Sequence, residues 1–172
     1  TFMLFSNIVY GIFDVIYNEF YIKVLGWTGE DIGSLRPYGM WLGGLIGLSA
    51  GLLTIYISKR FLLLFFITGQ AFIFLAVSSF SAETSDLISS IAIIGVDAVD
   101  AGWSVLIFSI LMALCTSNTS ATNFGIFMGF GNISMLIGNN IAPLFLGLGD
   151  YSFAFIIAAL TLIPCWLCGY YL

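Results

Sequence analysis

Long apolar runs separated by short polar segments make up almost the whole chain. Each run has the length of about 20 residues that an α-helix needs to cross the hydrocarbon core of a bilayer. Transmembrane strands alternate apolar and polar positions over about ten residues, whereas stretches such as 61–67 are continuously apolar. The pattern therefore predicts six helices, at about 2–25, 34–57, 61–80, 87–115, 123–149 and 153–172.

Short polar segments join the predicted helices, at 26–31, 58–60, 81–86, 116–122 and 150–152. Their glycine, acidic and hydroxyl residues are typical of turns. The basic pair Lys59 and Arg60 favours a cytoplasmic position for the second connection. Two further basic residues, Lys23 and Arg36, flank the first connection, which would then lie on the opposite side. The basic residues are therefore two on each side, and they leave the orientation open.

The composition is that of a chain dissolved in lipid. Of its 172 residues 60% are hydrophobic and 8% charged, with a mean hydropathy of +1.11, whereas soluble domains carry about 25% charged residues. These values exclude a soluble globular domain, a disordered chain and a nucleic-acid-binding protein. We expect an all-α, multi-pass integral membrane protein that is part of a larger membrane protein.

Several chemistries lack the residues that they need. The chain has no His, and its three Cys cannot form a four-ligand metal site. It has no Gly-x-x-x-x-Gly-Lys-Ser/Thr phosphate loop. Asp97 and Asp100 are close neighbours on one predicted helix, a poor arrangement for the facing carboxyl groups of an aspartyl protease. We therefore expect no catalytic residues, no metal and no cofactor, in a protein that is not an enzyme.

Four acidic residues fall inside the predicted helices, where an ionised group costs about 2.5–3.5 kcal/mol at the bilayer centre. Asp14 and Glu19 lie in the first helix, and Asp97 and Asp100 lie in the fourth. The third and sixth helices are almost purely apolar, so the pattern repeats after three helices. We expect the first and fourth helices to line a polar cavity, with these acids as its wall or as proton-coupling groups. A structural ion pair, for example with Arg36, is the alternative interpretation.

Polar and aromatic residues on the same helices are candidates for binding a solute. Amides can hydrogen-bond a sugar or a peptide, and aromatic rings can stack on a sugar ring. The alternatives are hydrogen bonds between helices for the amides and simple packing for the rings. The candidates are Tyr10, Asn18, Gln70, Trp103, Asn132, Asn139 and Asn140.

Glycines recur every fourth residue along the second predicted helix, at Gly39, Gly43, Gly47 and Gly51. Small residues at this spacing let two helix backbones approach closely in a membrane. The stripe therefore predicts a tight contact with a neighbouring helix.

Two segments resemble a known family. Residues 25–35 (Leu-Gly-Trp-Thr-Gly-Glu-Asp-Ile-Gly-Ser-Leu) resemble the connection between the first two helices of a major-facilitator half. Residues 109–115 and 120–124 are similar to the end of the tenth helix and the start of the eleventh in anhydromuropeptide permeases. The basic connection at 58–60 departs from the family pattern, because it lacks the usual Asp and second Gly.

The resemblance implies the C-terminal six-helix half of a proton-coupled transporter, built as a 3+3 inverted repeat in the bacterial inner membrane. Its implied partners are the N-terminal six-helix half, the lipid bilayer, protons and a small solute, namely an anhydromuropeptide or a similar sugar–peptide. A major-facilitator transporter of acetyl-CoA, a drug or another small metabolite is the alternative. A channel or a scaffold subunit is a further alternative from a different class.

Overall fold

The computed structural model describes residues 2–115 and 120–171, and this part of the chain is all-helical, without strands. The helices are α1 (Phe2–Lys23), α2 (Gly29–Leu53), α3 (Lys59–Ser78), α4 (Asp86–Leu114), α5 (Ser120–Leu148), α6 (Tyr151–Leu160) and α7 (Leu162–Tyr171). Of the polar segment predicted at 116–122, residues 116–119 lie outside the described residues.

Helix α2 begins at Gly29, several residues before the start that the hydrophobic pattern predicts. Thr28 is its N-cap, and the Thr28 side chain accepts a hydrogen bond from the Asp31 N–H at 3.2 Å. The Asp31 carboxylate accepts in return from the Thr28 N–H at 2.8 Å. This reciprocal capping box satisfies two backbone donors, so part of the segment predicted as a turn is the first turn of a helix. Gly26, with φ +72°, reverses the chain before it.

The last apolar run forms two helices, α6 and α7, separated at Thr161. Pro164 explains the break, because proline has no N–H to donate and its ring clashes with the carbonyl group four residues earlier, here that of Leu160. The two segments together still form one stretch, Tyr151–Tyr170, that is long and apolar enough to cross a membrane.

Three helical stretches of the described residues meet the length and composition needed to cross a membrane. They are Lys59–Ser78, Asp86–Ala113 and Tyr151–Tyr170. Helices α1, α2 and α5 have 22, 25 and 29 residues and carry most of the glycines and asparagines of the chain. The architecture is consistent with a membrane protein.

The helices pack in a pattern that repeats between the two halves of the chain. Helix α1 packs along α5, and α2 packs along α4. Helix α3 contacts α4, α6 and α7, and α1 also contacts α6 and α7. In this repeat α1 corresponds to α4, α2 to α5, and α3 to α6 and α7 together. The α1–α5 contact then corresponds to the α4–α2 contact. The α3–α4 contact corresponds to the contacts of α6 and α7 with α1. The two long contacts, and the contacts between the third helix of one half and the first helix of the other, are therefore repeated.

Glycines make both long contacts close. Gly39, Gly43 and Gly47 are buried, and a Cβ atom added at Gly43 would lie 2.9 Å from the Cβ of Ala101 on α4. A Cβ atom added at Gly138 of α5 would lie 3.1 Å from the Cα of Gly11 on α1. The tight contact predicted from the glycine stripe of α2 is thus confirmed, and α4 is the helix that it contacts.

Helix α1 is held in the bundle by its aromatic side chains. Phe13 stacks on Phe74 of α3 with ring centroids 4.0 Å apart, and Phe20 packs edge-on against Phe155 of α6 at 5.3 Å. The buried Tyr21 hydroxyl donates to the Ser89 carbonyl oxygen of α4 at 2.9 Å. These contacts hold α1 against three helices and so fix the direction of its polar side chains.

Candidate functional site

A cavity of about 250 Å³ lies inside the bundle, between α1, α3, α4, α5 and the start of α7. Five of the candidate residues line it, one or more from each of four helices. They are Tyr10, Gln70, Asp100, Trp103 and Asn132. The structure thus brings together residues that are far apart in the sequence, and it joins an acid to two amides and two aromatic rings.

Helical periodicity positions the α4 part of the lining. Asp100, Trp103 and Ser104 are three and four residues apart, so they lie on one face of the helix. Tyr10 lies on the opposite side of the cavity, on α1. Asn132 is exposed at the α5 side of the lining.

Asp100 is the single charged residue among the described residues that line this cavity. Among the described residues, ion pairs join Lys23 to Glu19 and Arg36 to Asp14. Asp100 therefore faces the cavity without a basic side chain of the described part to balance its charge. A carboxylate in apolar surroundings is costly unless it is paired or binds a proton.

Gln70 brings an amide side chain to the cavity lining. Its side chain is 5% exposed, and its Oε1 atom has no hydrogen-bond partner among the described residues. A buried acceptor left without a partner costs about 1–3 kcal/mol, so a donor that enters the cavity would recover that free energy.

Asp14 and Asn18 belong to a different polar group, which we call the arginine cluster: Asp14, Asn18 and Arg36. The Arg36 guanidinium donates to Asp14 Oδ1 at 3.4 Å and to Asn18 Oδ1 at 3.3 Å. Asn18 Nδ2 donates to the Asp14 carbonyl oxygen at 2.8 Å. About a third of each charged side chain is exposed. The cluster joins α1 to α2, and its members satisfy one another.

Two further candidates lie where helices touch. Asp97 is pressed against Gly39 in the α2–α4 contact, and a Cβ atom at that glycine would meet the Asp97 side chain at 2.6 Å. Asn139 faces Gly11 in the α1–α5 contact. Asp97 Oδ2 and Asn139 Oδ1 are buried without a hydrogen-bond partner in the described part of the chain.

Glu19 and Asn140 are not brought to the cavity. Glu19 forms an ion pair with Lys23, one turn further along α1. Asn140 is exposed, and its side-chain amide donates to the Leu136 carbonyl oxygen of its own helix at 2.7 Å. Both side chains are occupied locally, near the surface of the described bundle.

Some lining residues were not among the candidates. Asn7 and Ser104 share helix faces with Tyr10 and Asp100, so the helical periodicity carried a signal for them. The apolar lining, which includes Met128 of α5, has no such signal, because a methionine facing a cavity has the same sequence pattern as one facing lipid.

Comparisons with known proteins identify no relative: no family model, no curated protein and no solved structure matches the chain. Across residues 2–115 and 120–171, no group of three or more Cys, Asp or Glu side chains is placed to hold a metal ion. The fold and site therefore define a helical protein with helices able to span a membrane and with a cavity whose lining combines polar and apolar residues.

Proposed function

We propose that the chain is the C-terminal six-helix half of a proton-coupled secondary transporter with the major-facilitator architecture. All six helical stretches then cross the membrane as two triplets, with α6 and α7 acting as one span, in the bacterial inner membrane. The pairing of α1 with α5 and of α4 with α2 supports this proposal, because it is the pairing expected of two repeated triplets. An N-terminal six-helix half completes the transport pathway.

The observation that carries the proposal is the polar cavity with its unpaired acid. Ionisable residues inside membrane bundles mark substrate and ion pathways, because a charge in the membrane has a free-energy cost that only a functional role or a partner offsets. Asp100 lines the cavity, and Tyr10 and Trp103 supply aromatic surface beside it. A scaffold protein has no need for such a group in its interior.

A carboxyl group that binds and releases a proton couples transport to the proton gradient. Asp97 is the best candidate for this role, because it is pressed against the backbone of α2 and forms no ion pair with a described residue. Gain or loss of its charge alters the α2–α4 contact directly. Asp14 is a weaker candidate, since Arg36 already balances it.

The proposed solute is an anhydromuropeptide or a similar sugar–peptide, by the resemblance of residues 25–35, 109–115 and 120–124 to those permeases. Amide groups and aromatic rings in the lining suit such a solute. A strongly anionic solute such as acetyl-CoA suits it less, because the lining offers an acid and neither Lys nor Arg among the described residues.

The test is uptake of a labelled anhydromuropeptide by the intact transporter in vesicles with an imposed proton gradient. We compare the wild type with Asp97→Asn, Asp100→Asn and Asp14→Asn, and Glu83→Gln in an exposed loop is the matched control. Asp97→Asn is expected to abolish accumulation against a gradient while solute exchange continues. Asp100→Asn is expected to weaken solute binding, and the control is expected to transport normally.

Three outcomes would overturn parts of the proposal. Absence of uptake by the folded wild type would reject the sugar–peptide solute. Conductance without solute would indicate a channel. Normal accumulation by all three Asp→Asn variants would mean that the acids are structural, as in a scaffold.

A further inference from the structure

We propose that the cavity binds a positively charged amino group of the solute, held by the Asp100 carboxylate and Gln70 Oε1 beside the rings of Tyr10 and Trp103. This names the substrate class of the cavity: a solute with an ammonium group. It rests on the proposed function only for the statement that the bound molecule is transported. The binding itself follows from the lining.

Charge is the first step of the argument. Asp100 lines the cavity, and no Lys or Arg of the described residues lines it with Asp100. The guanidinium of Arg36 is held by Asp14 and Asn18 in the arginine cluster. A carboxylate that is partly removed from water is stabilised by a cation at hydrogen-bonding distance. A cationic group of the ligand would therefore balance the charge of Asp100, which no described basic residue balances.

Hydrogen-bonding capacity is an independent step. Gln70 Oε1 is buried and has no donor among the described residues. Gln70 and Asp100 line the same cavity from two different helices, α3 and α4, and each has an acceptor that a reorientation of the side chain can direct to a ligand. An ammonium group has three N–H donors and no acceptor, which is the complement of this pair. An ionised phosphate or carboxylate group of a ligand offers only acceptors, so it could not form hydrogen bonds with these two acceptors.

The aromatic rings agree with the same ligand. Trp103 lies one turn after Asp100 on α4, and Tyr10 lies opposite on α1. A cation over the face of a Trp or Tyr ring is attracted by its quadrupole. Asn132 can bind a neighbouring hydroxyl or amide of the same solute, but it does not distinguish charge.

Size limits what part of a solute the cavity takes. At about 250 Å³ it lies just below the range of about 300–1,000 Å³ for pockets of drug-sized ligands. The cavity therefore fits an amino group with the few atoms attached to it. A larger solute extends past Asn132 toward the partner half of the proposed transporter.

The test is equilibrium dialysis of the intact, detergent-solubilised transporter with a matched pair of probes, 2-phenylethylamine and 2-phenylethanol. The probes have nearly the same shape and differ in the ammonium group. We expect the amine to bind the wild type at least about tenfold more tightly than the alcohol, and Glu83→Gln to keep that ratio. The same detergent is present throughout, so changes in the ratio between variants are independent of partition into micelles.

Variants assign the preference to residues. Asp100→Asn is expected to bring the ratio close to one, whereas Asp100→Glu is expected to keep a preference for the amine. Gln70→Leu, which keeps a similar side-chain volume, is expected to weaken binding of the amine several-fold more than binding of the alcohol. If Asp100→Asn does not fold, the result for Gln70→Leu decides whether the inference stands. Equal binding of the two probes by the wild type, or a full preference in Asp100→Asn or in Gln70→Leu, would overturn the inference.

The outcomes separate this inference from the proposed function. Proton-driven uptake without a preference for the amine would reject the ammonium site and leave the transporter. A preference for the amine in a protein that shows no uptake would establish the site and reject transport.

Discussion

The arginine cluster and the cavity are two polar regions that share α1 and differ in how their charges are balanced. In the cluster, the Asp14 carboxylate meets the Arg36 guanidinium at 3.4 Å, and Asn18 bonds to both. In the cavity, Asp100 has no basic partner among the described residues, and Gln70 Oε1 has no donor. Both regions combine an acid with an amide, so residue type alone does not distinguish them.

Whether a polar group already has partners indicates whether its role is structural. A satisfied group has already recovered its desolvation cost from the protein, and a ligand adds little to it. A group that is buried and incomplete gains from any ligand or proton that completes it. On this argument the arginine cluster attaches α1 to α2, whereas ligand binding by the cavity is the proposal that the following experiments test.

The largest expected effect comes from moving α1, which carries residues of both regions. A Cβ atom at Gly138 would meet the Ile8 carbonyl group and lie 3.1 Å from Gly11 Cα, whereas one at Gly129 of the same helix meets nothing within 4 Å. Gly138→Ala is expected to lower the unfolding free energy by about 1–3 kcal/mol through overpacking. Gly129→Ala is expected to leave it unchanged or raise it by up to about 1 kcal/mol through helix propensity.

Thermal unfolding of both variants in the same detergent measures this contrast. The disruption at position 138 should also reduce binding in the cavity, because α1 positions Tyr10. Equal stability of the two variants would show that the α1–α5 contact is looser than the structure has it.

The second prediction sets the acids of the two regions against each other. Asp14→Asn leaves Arg36 without its counter-ion, and we expect it to lower the unfolding free energy by about 1–2 kcal/mol for a pair that is partly exposed. Asp100→Asn removes a charge that has no partner, so the stability should stay the same or rise by up to about 1 kcal/mol. Chemical unfolding of the two single variants measures both. If Asp100→Asn lost more stability than Asp14→Asn, Asp100 would be the structural acid, and the assignment of the two regions would be wrong.

A double-mutant cycle between Asp14 and Arg36 gives the third prediction. The variants are Asp14→Asn, Arg36→Gln and their combination. Because the two side chains contact each other, the double variant should be more stable than the sum of the single losses predicts, with a coupling of about 0.5–1 kcal/mol. The same cycle between Asp100 and Arg36 is the control and should show a coupling close to zero. Additive losses at Asp14 would mean that its ion pair contributes nothing measurable.

The sequence predicted the helical class and the glycine contact of α2, because both follow from local periodicity. It also selected five residues that line the cavity, since buried polar residues in an apolar helix are few and conspicuous. It did not separate Asp14 from Asp100, because that depends on where α2 carries Arg36 in three dimensions. The division at Thr161 has a local signal in Pro164, but a proline also occurs inside the continuous helix α5. Packing decides between these outcomes.

The smallest expected effect concerns the start of α2, the helix that carries Arg36. Asp31 lies in the exposed capping box, outside the three stretches that are able to span a membrane, and its hydrogen bonds with Thr28 lower its pKa below the usual value. A carboxyl group whose pKa is lower in the folded than in the unfolded protein stabilises the fold when it is ionised. This stabilisation is present above the unfolded pKa of about 4 and is lost as the pH falls through the folded pKa.

The measurement is the melting temperature of the wild type and Asp31→Asn between about pH 6 and about pH 3, a range that brackets the usual Asp pKa. The wild type should melt slightly higher at the upper end, and the difference should vanish at the lower end. Glu30→Gln, at the neighbouring exposed acid, leaves the hydrogen bonds between Thr28 and Asp31 in place and is the matched control, which should keep the pH trend of the wild type. Because the cap supports α2 and not the cavity, the preference of the cavity for an amine should be unchanged in Asp31→Asn at about pH 6. A loss of that preference would mean that the two polar regions are coupled through α2, and the separation between them would fail.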